Sequence, residues 1–120
     1  MATPPPLRIK RVYAPRADSD GNRILVDRLW PRGLARDTAA LTSWCKDIAP
    51  STELRRWFGH DRQRWAEFNR RYREELESNP VGVDKLAALL HQGPGTLLYA
   101  ARDEEHNHAI VLAGYMAKHR

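Results

Sequence analysis

The chain has 120 residues and a formal net charge of +5 at neutral pH. This length suits one domain with one hydrophobic core, and a hydrophobic share of 42% beside a charged share of 29% excludes a disordered chain. No apolar run approaches the roughly 20 residues that cross a bilayer, so we expect no membrane partner.

The N-terminal segment contains three consecutive prolines and lacks the apolar stretch of a secretory signal. We expect residues 1–8 to form a flexible, extended lead-in and residues 9–120 to form the single domain. Cys45 is the only cysteine, which excludes an intrachain disulfide and favours a reducing compartment. We therefore expect a cytoplasmic protein in which Cys45 is a small buried apolar residue.

Strand and helix patterns alternate in the first half of the chain. The β-branched run Arg23-Ile24-Leu25-Val26-Asp27 is typical of a strand that is buried on both faces. Ser51 is a typical N-cap, and Gly59 a typical end, for a short helix. The predicted strands cover 9–13, 23–27 and 43–48, and the predicted helices cover 34–41 and 52–58.

The second half of the chain predicts longer helices and one more strand. Four large apolar residues at helical spacing predict an amphipathic helix that is capped by Asp61 and ended by Asn79-Pro80. A leucine-rich stretch over 86–90 predicts another helix, and 96–100 predicts a buried strand. From Asp103 onward we expect a final helix. The apolar residues expected on buried helix faces are Trp65, Phe68, Tyr72 and Leu76 in the first helix and Ile110, Ala113 and Ala117 in the last.

This alternation predicts an α/β fold, a small and mostly parallel sheet with helices packed on it in a single domain. Ligands of open α/β sheets bind outside the carboxyl ends of the strands. Polar residues follow both of the most apolar strands, over 27–33 and over 102–108. The sequence therefore predicts a polar crevice where these two segments meet.

The first polar segment begins with a carboxylate directly after a buried strand. Such a carboxylate is costly unless it is paired, and we expect Arg28, Arg32 or Arg102 as its partner. One hypothesis makes Asp27 a catalytic base or orienting group, the arginines an anion clamp and Trp30 an aromatic wall. The alternative is a structural Asp–Arg bridge that locks the loop to the sheet.

The second polar segment follows the other buried strand. A helix that opens there presents free N–H groups to an anion, with Arg102 as a bidentate partner and Asn107 beside it. His106 is a candidate general acid or base, because histidine normally titrates near neutral pH. The alternative is a capped helix in which Asp103 is only the N-cap.

Two further side chains are predicted to reach the crevice, Ser51 at a helix N-terminus and His60 after Gly59. On one helix, His106 and His108 would point to nearly opposite sides, so we expect no metal site and no other cofactor. Whether His60 joins one of these histidines in space is left open.

Four groups of residues stand in order along the chain. They are Asp27-Arg28-Leu29-Trp30-Pro31-Arg32-Gly33, then Ile48-Ala49-Pro50-Ser51 with Glu53-Leu54-Arg55, then Trp57-Phe58-Gly59-His60, and finally Leu98-Tyr99-Ala100-Ala101-Arg102-Asp103 with His106-Asn107-His108-Ala109. Together they resemble the YeaO-like family, known as domain of unknown function 488, from about Ile9 to about Tyr115. The resemblance implies a small bacterial cytosolic α/β protein and leaves its activity open.

The leading hypothesis is a site for a small anionic molecule, a nucleotide or a phosphate ester, with hydrolase or transferase activity left open. In it, Asp27 and His106 transfer protons. The ligand-binding residues would be Arg28, Trp30, Arg32, Ser51, His60, Arg102, Asp103 and Asn107.

Two alternative hypotheses remain, and the first follows from the distribution of charge. Residues 1–33 contain seven basic and three acidic residues, which suits a nucleic-acid-associated module. Residues 51–78 contain seven basic and six acidic residues, and the i,i+4 spacing of Glu67 and Arg71 indicates an ion-paired helix face. The third hypothesis is a non-catalytic interaction protein in which the Asp–Arg pairs are only structural.

Overall fold

A computed structural model describes residues 7–119 of the chain. The strands are β1 (Leu7–Arg11), β2 (Asn22–Leu25), β3 (Ser43–Trp44) and β4 (Gly95–Tyr99). The helices are α1 (Arg36–Ala39), α2 (Thr52–Phe58), α3 (Trp65–Glu77), α4 (Pro80–Leu90) and α5 (His108–His119). None of these helices is long and apolar enough to span a membrane. Of the predicted lead-in over 1–8, residues 1–6 lie outside the described residues. Its last two residues, Leu7 and Arg8, belong to β1.

The four strands form one parallel sheet in the order β1-β4-β2-β3. Gly95 pairs with Leu7 on one side and with Asn22 on the other, which places β4 in the interior of the sheet. All five residues of β4 are buried, as expected for a parallel strand that is covered on both faces. The predicted α/β fold with a parallel sheet is confirmed.

The two faces of the sheet are covered differently. Alternate strand residues such as Ile24 and Leu97 pack into the main core together with α2, α3, α4 and α5. Leu25 and Leu98 point the other way, into a smaller cluster formed by the segment 30–44. The helical layer therefore lies on one face, and a loop with one short helix covers the other.

Helix α3 follows the predicted amphipathic pattern. Phe68, Tyr72 and Leu76 are buried, and Trp65 is half-buried against the same core. The Tyr72 hydroxyl donates a 2.7 Å hydrogen bond to the Ile48 carbonyl, which fixes the helix against the segment after β3.

Pro80 begins a helix in addition to following the end of one. Asn79 is the N-cap of α4, where its Oδ1 accepts from the Gly82 amide at 3.1 Å, and Pro80 occupies the first helical turn. Proline suits that position because its missing N–H has no partner there in any helix. The expectation of a helix confined to about 86–90 was therefore too short.

The predicted strand over 43–48 is also wrong in extent. Only Ser43–Trp44 pair with β2, and the chain then turns into a 3-10 helix over Lys46–Ile48 that buries Ile48 in the main core. Cys45 at this turn is half-buried, not fully buried as predicted. Burial raises the pKa of its thiol, so the reactive thiolate is disfavoured.

Helix α5 begins five residues later than predicted. Asp103 is not its N-cap; instead the Asn107 side chain accepts a 3.2 Å hydrogen bond from the Ile110 amide at the start of the helix. The predicted buried face is shifted as well. The residues of α5 that are buried are Ala109, Val111, Leu112, Tyr115 and Met116.

Candidate functional site

The carboxyl ends of β2 and β4 open into a pocket of about 750 Å³. Helix α2 and the turn after it form the opposite wall. The charged lining residues are Asp27, Arg28, Arg55, Arg62, Arg102 and Asp103. The histidines that line it are His60, His106 and His108, and its apolar lining includes Leu29, Pro50, Phe58, Phe68, Ala100 and Ala101. Both polar segments singled out in the sequence therefore meet in one pocket, as predicted.

Asp27 contacts a histidine, not an arginine. Its Oδ2 accepts from the Ala100 amide at 3.1 Å, and its Oδ1 lies 3.0 Å from His108 Nε2. That nitrogen is hydrogen-bonded to the Val26 carbonyl at 3.1 Å, so its contact with Oδ1 is electrostatic and lies off the line of the N–H. Because carbonyl and carboxylate oxygens are both acceptors, Nε2 must carry the hydrogen. The predicted Asp27–Arg pair is wrong.

Arg28 fixes the wall that follows β3. Its guanidinium donates to the carbonyls of Ala49 at 3.0 Å and Pro50 at 3.2 Å. Carbonyl oxygens satisfy the N–H groups but carry no full charge. Arg28 therefore holds the loop in place and keeps its positive charge at the pocket.

The loop after β4 is held from β1. Arg11 donates to the carbonyls of Ala101 at 3.0 Å and Ala100 at 3.3 Å. Asp103 then closes a tight turn, because its Oδ1 accepts from the amides of Glu105 at 2.9 Å and His106 at 3.0 Å. This turn is why the helix starts later than expected, and it brings His106 and His108 to the same pocket.

Asp103 also orients two side chains of the pocket. Its Oδ2 lies 3.0 Å from Arg62 Nε and 3.2 Å from His106 Nδ1. The hydrogen bond from the Glu105 amide, together with those from His106 and Arg62, lowers the pKa of Asp103 to about 2. Asp103 is thus a carboxylate at neutral pH, and it orients the His106 ring, which also meets the Trp65 ring edge-on at 5.3 Å.

Two arginines of the pocket have no such partner. Among residues 7–119, no hydrogen bond or ion pair engages the guanidinium groups of Arg55 and Arg102, both of which are exposed. His60 is exposed beside them, with a φ of 58° after Gly59, and its ring lies 6.2 Å from that of Phe58. These groups are available to a bound molecule.

Two of the predicted site residues, Trp30 and Arg32, do not line the pocket. Trp30 packs against Trp44 on the other face of the sheet, and its Nε1 donates to the Leu34 carbonyl at 2.8 Å. Arg32 is exposed, and its carbonyl accepts from the Tyr13 hydroxyl. The chain turns away from the pocket after Leu29, so neither residue lines it.

Ser51 caps α2 as predicted but also lies outside this pocket. Its hydroxyl accepts from the Leu54 amide at 3.1 Å and donates to Glu75 at 2.6 Å. It lines a separate cavity of about 180 Å³ behind Arg28. The predicted residues that do line the main pocket are Asp27, Arg28, His60, Arg102, Asp103, His106 and Asn107.

Sequence reasoning missed Arg55, Arg62 and His108 as lining residues. Arg55 lies one turn into the helix that Ser51 caps, and Arg62 follows His60. Each therefore lies near a residue that was predicted to bind the ligand. His108 stood within the predicted crevice segment 102–108 but was given no role there, because its spacing from His106 had been weighed only as a metal pair. Among the described residues, no group of three or more His, Cys, Asp or Glu side chains is arranged to hold a metal ion.

The basic residues of the N-terminal third are largely engaged within the fold. Lys10 and Arg23 pair with the buried Asp20 at 2.8 and 2.6 Å. Arg8, Arg11 and Arg28 donate to backbone carbonyls. On α3, Arg71 pairs with Glu67 at 3.0 Å as its spacing predicted.

Comparisons with known proteins cover almost the whole chain. A family model described as the inactive DUF488-N3 subclade matches residues 6–119, which include every pocket residue. Over 110 residues the chain is 46% identical to the uncharacterized protein YeaO of Escherichia coli (strain K12), covering 92% of this chain and 96% of that protein. Over 107 residues it is 42% identical to the uncharacterized protein Rv3073c of Mycobacterium tuberculosis (strain H37Rv), covering 89% and 90%. No solved structure matches it.

Proposed function

This chain belongs to the YeaO-like DUF488 family, and we propose that its pocket binds a small anionic molecule, a nucleotide or a phosphate ester, without converting it. The observation that carries the proposal is the excess of arginine in one pocket at the carboxyl ends of the strands. Among the described residues, Arg55 and Arg102 have no hydrogen-bond or ion-pair partner, and Arg28 is held only by carbonyl oxygens.

The dimensions and walls of the pocket suit a molecule of this size. A volume of about 750 Å³ falls in the range of about 300–1,000 Å³ that small-molecule sites occupy. Apolar side chains such as Phe58 and Leu29 line it beside the charged groups, as in sites that hold an organic group together with an anion.

Binding without turnover is supported by the pocket carboxylates and by the family description. Asp27 is engaged by the Ala100 amide and His108, and Asp103 by two amides, Arg62 and His106. Both oxygens of Asp103 accept hydrogen bonds, and the Asp27 oxygen that has no hydrogen bond among the described residues, Oδ1, is buried against His108, so neither carboxylate is placed to accept a proton from a substrate. The matching subclade is described as inactive.

A nucleic-acid-associated module has less support. Its predicted surface was the basic N-terminal third, where Lys10, Arg23 and Arg11 are engaged inside the fold. Charges that are paired internally contribute little to a phosphate-backbone contact.

Isothermal titration calorimetry with adenosine 5′-monophosphate and glucose 6-phosphate tests binding. We expect at least one to bind with a dissociation constant below about 1 mM, and Arg102→Ala to weaken it about ten-fold. Arg56→Ala is the matched control, because Arg56 is exposed on α2 and does not line the pocket. No binding of either compound, or equal losses in both variants, contradicts the proposal. A fall in affinity with salt spanning several log units would favour the nucleic-acid module.

A separate assay tests the absence of turnover. We expect no release of p-nitrophenol from p-nitrophenyl phosphate above the buffer rate. Release that disappears in His106→Asn would contradict the binding proposal and favour the hydrolase hypothesis, in which His106 transfers the proton.

A further inference from the structure

Pairing within the pocket leaves a definite charge uncompensated. Asp103 is matched by Arg62 and His106, and Asp27 contacts His108 and the Ala100 amide. Asp103 is thereby paired with one arginine, whereas Asp27 has no arginine or lysine partner among the described residues. The positive charges that remain without a carboxylate partner among the described residues are those of Arg28, Arg55 and Arg102.

The neighbouring acidic residues do not change this count. Glu104 and Glu105 belong to the same loop as Asp103, but both are exposed and neither lines the pocket. Glu75, behind Arg28, is bound to the amide and hydroxyl of Ser51 at 2.8 and 2.6 Å. In formal charges, the four arginines and two carboxylates that line the pocket therefore leave two positive charges for a ligand to match.

We infer that the ligand is a phosphate monoester in its dianionic form, with an apolar or aromatic group attached; this inference rests on the proposed binding function. A singly charged ligand would leave one of the two excess positive charges unmatched, whereas a dianion matches both. A terminal phosphate also offers three oxygens to guanidinium groups, whose planar N–H forks fit phosphate geometry. A phosphate diester has one charge and two such oxygens, so it is discriminated against.

The attached group is indicated by the apolar side of the same pocket. Leu29 is 60% exposed at the pocket, one of the few large apolar side chains in the described residues that is so open. Phe58, Pro50 and Ala101 line the pocket with it. A ligand with an aromatic or aliphatic group removes this surface from water when it binds. A bare phosphate ion leaves it exposed.

Three probes distinguish the contribution of the ligand's charge to the affinity from that of its apolar group. Phenyl phosphate is the monoester, methyl phenyl phosphate carries the same ring on a diester, and inorganic phosphate has the dianion without the ring. At pH 8 the first and third probes are mostly dianions and the second carries one charge, because pH 8 lies above the second pKa of the monoester, about 6, and also above the higher second pKa of inorganic phosphate. Calorimetric titrations of the whole chain at one salt concentration compare them directly.

We expect phenyl phosphate to bind at least about ten-fold more tightly than the diester, since one charge-assisted contact is worth that factor or more. Arg55→Ala and Arg102→Ala should each weaken phenyl phosphate about ten-fold and remove most of its preference over the diester. Arg56→Ala, on the same helix as Arg55 but outside the pocket, should leave both affinities unchanged.

Leu29→Ala tests the apolar contact. It should weaken phenyl phosphate several-fold while leaving inorganic phosphate unchanged, since the change removes apolar contact and no charge. Leu29 is 60% exposed, so its truncation should change stability by less than about 0.5 kcal/mol, and an unchanged urea midpoint verifies that the variant is folded.

The outcomes separate this inference from the proposed function. Equal affinity for monoester and diester, with both weakened by Arg102→Ala, overturns the dianion inference and leaves anion binding in place. Inorganic phosphate binding as tightly as phenyl phosphate overturns the attached apolar group. Binding of none of the three probes overturns both the inference and the proposed function.

Discussion

His108 Nε2 lies 3.0 Å from Asp27 Oδ1, and this contact joins the start of α5 to the end of β2. The other carboxylate oxygen accepts from the Ala100 amide, just after β4. One carboxylate therefore ties the ends of the two central strands to the helix that follows. Because both side chains are about 15% exposed at the pocket, the same contact fixes the pocket floor.

A double-mutant cycle measures this contact. Asp27→Ala and His108→Ala should show a coupling of about 1–3 kcal/mol in the free energy of unfolding, because the two side chains share one partly buried contact. Urea denaturation of the four proteins gives the value. The control is the same cycle with Arg102, the partner that the sequence suggested, where we expect coupling below about 0.5 kcal/mol. Stronger coupling to Arg102 than to His108 would show that the pairing is wrongly assigned.

The start of α5 gives a second prediction. Asn107→Ala should cost about 1 kcal/mol of stability and should speed amide hydrogen exchange at Ile110, whose N–H the Asn107 side chain accepts. Asp103→Ala should instead speed exchange at Glu105 and His106. Faster exchange at Ile110 in Asp103→Ala than in Asn107→Ala would mean that the helix begins where the sequence placed it.

The same region shows what the sequence could and could not predict. Strand positions depend on a local apolar pattern, so β2 and β4 and the meeting of their polar ends were predictable. The helix start was not, because Asp103 and Asn107 are both good capping residues and the choice depends on the turn held by Arg11 from β1. This error hid the contact of His108 with Asp27.

Trp30 illustrates the other limit. It follows Asp27 closely in sequence, and for that reason it was predicted to line the crevice. The second face of the sheet, however, needs apolar side chains to cover Leu25 and Leu98. The burial of Trp30 against Trp44 supplies that cover. Arg32 follows Trp30 along the chain and is therefore carried away from the pocket as well. A local segment does not show which face of the sheet its residues will cover.

A third prediction concerns acid stability. Burial alone would raise the pKa of Asp20, but the hydrogen bonds from Lys10, the Ala17 amide and Arg23 outweigh it and lower the pKa to about 2. A lowered folded-state pKa means that the stabilisation is present above the unfolded value of about 3.9 and is lost as the pH falls toward 2. Asp20→Asn should cost about 3 kcal/mol at pH 7, because it leaves buried Arg23 unpaired.

The measurement is urea stability as a function of pH from 7 to 2. The wild-type protein should lose stability between about pH 5 and 2 more steeply than Asp20→Asn. Asp18→Asn is the control, since Asp18 is exposed in the same turn and should change stability by less than about 0.5 kcal/mol. Parallel curves for the wild type and Asp20→Asn would contradict the pairing.

The pocket arginines should separate into two kinds. Arg28→Ala should cost about 1–2 kcal/mol of stability, because Arg28 holds the carbonyls of Ala49 and Pro50. Arg55→Ala and Arg102→Ala should each change it by less than about 0.5 kcal/mol, since both side chains are exposed. Chemical denaturation checks all three. A large loss in Arg102→Ala would indicate a structural role for Arg102 and count against its being free for a ligand.

NMR of the arginine Nε–Hε groups shows directly whether the pocket binds an anion through its arginines. Phenyl phosphate is titrated into the ¹⁵N-labelled protein at pH 8, and single Arg→Ala variants assign the signals. We expect saturable shifts at Arg28, Arg55 and Arg102, with the signals of Arg23 and Arg70 unmoved. Absence of saturable shifts at the three pocket arginines, or equal shifts at Arg70 on the exposed face of α3, would contradict anion binding through these arginines.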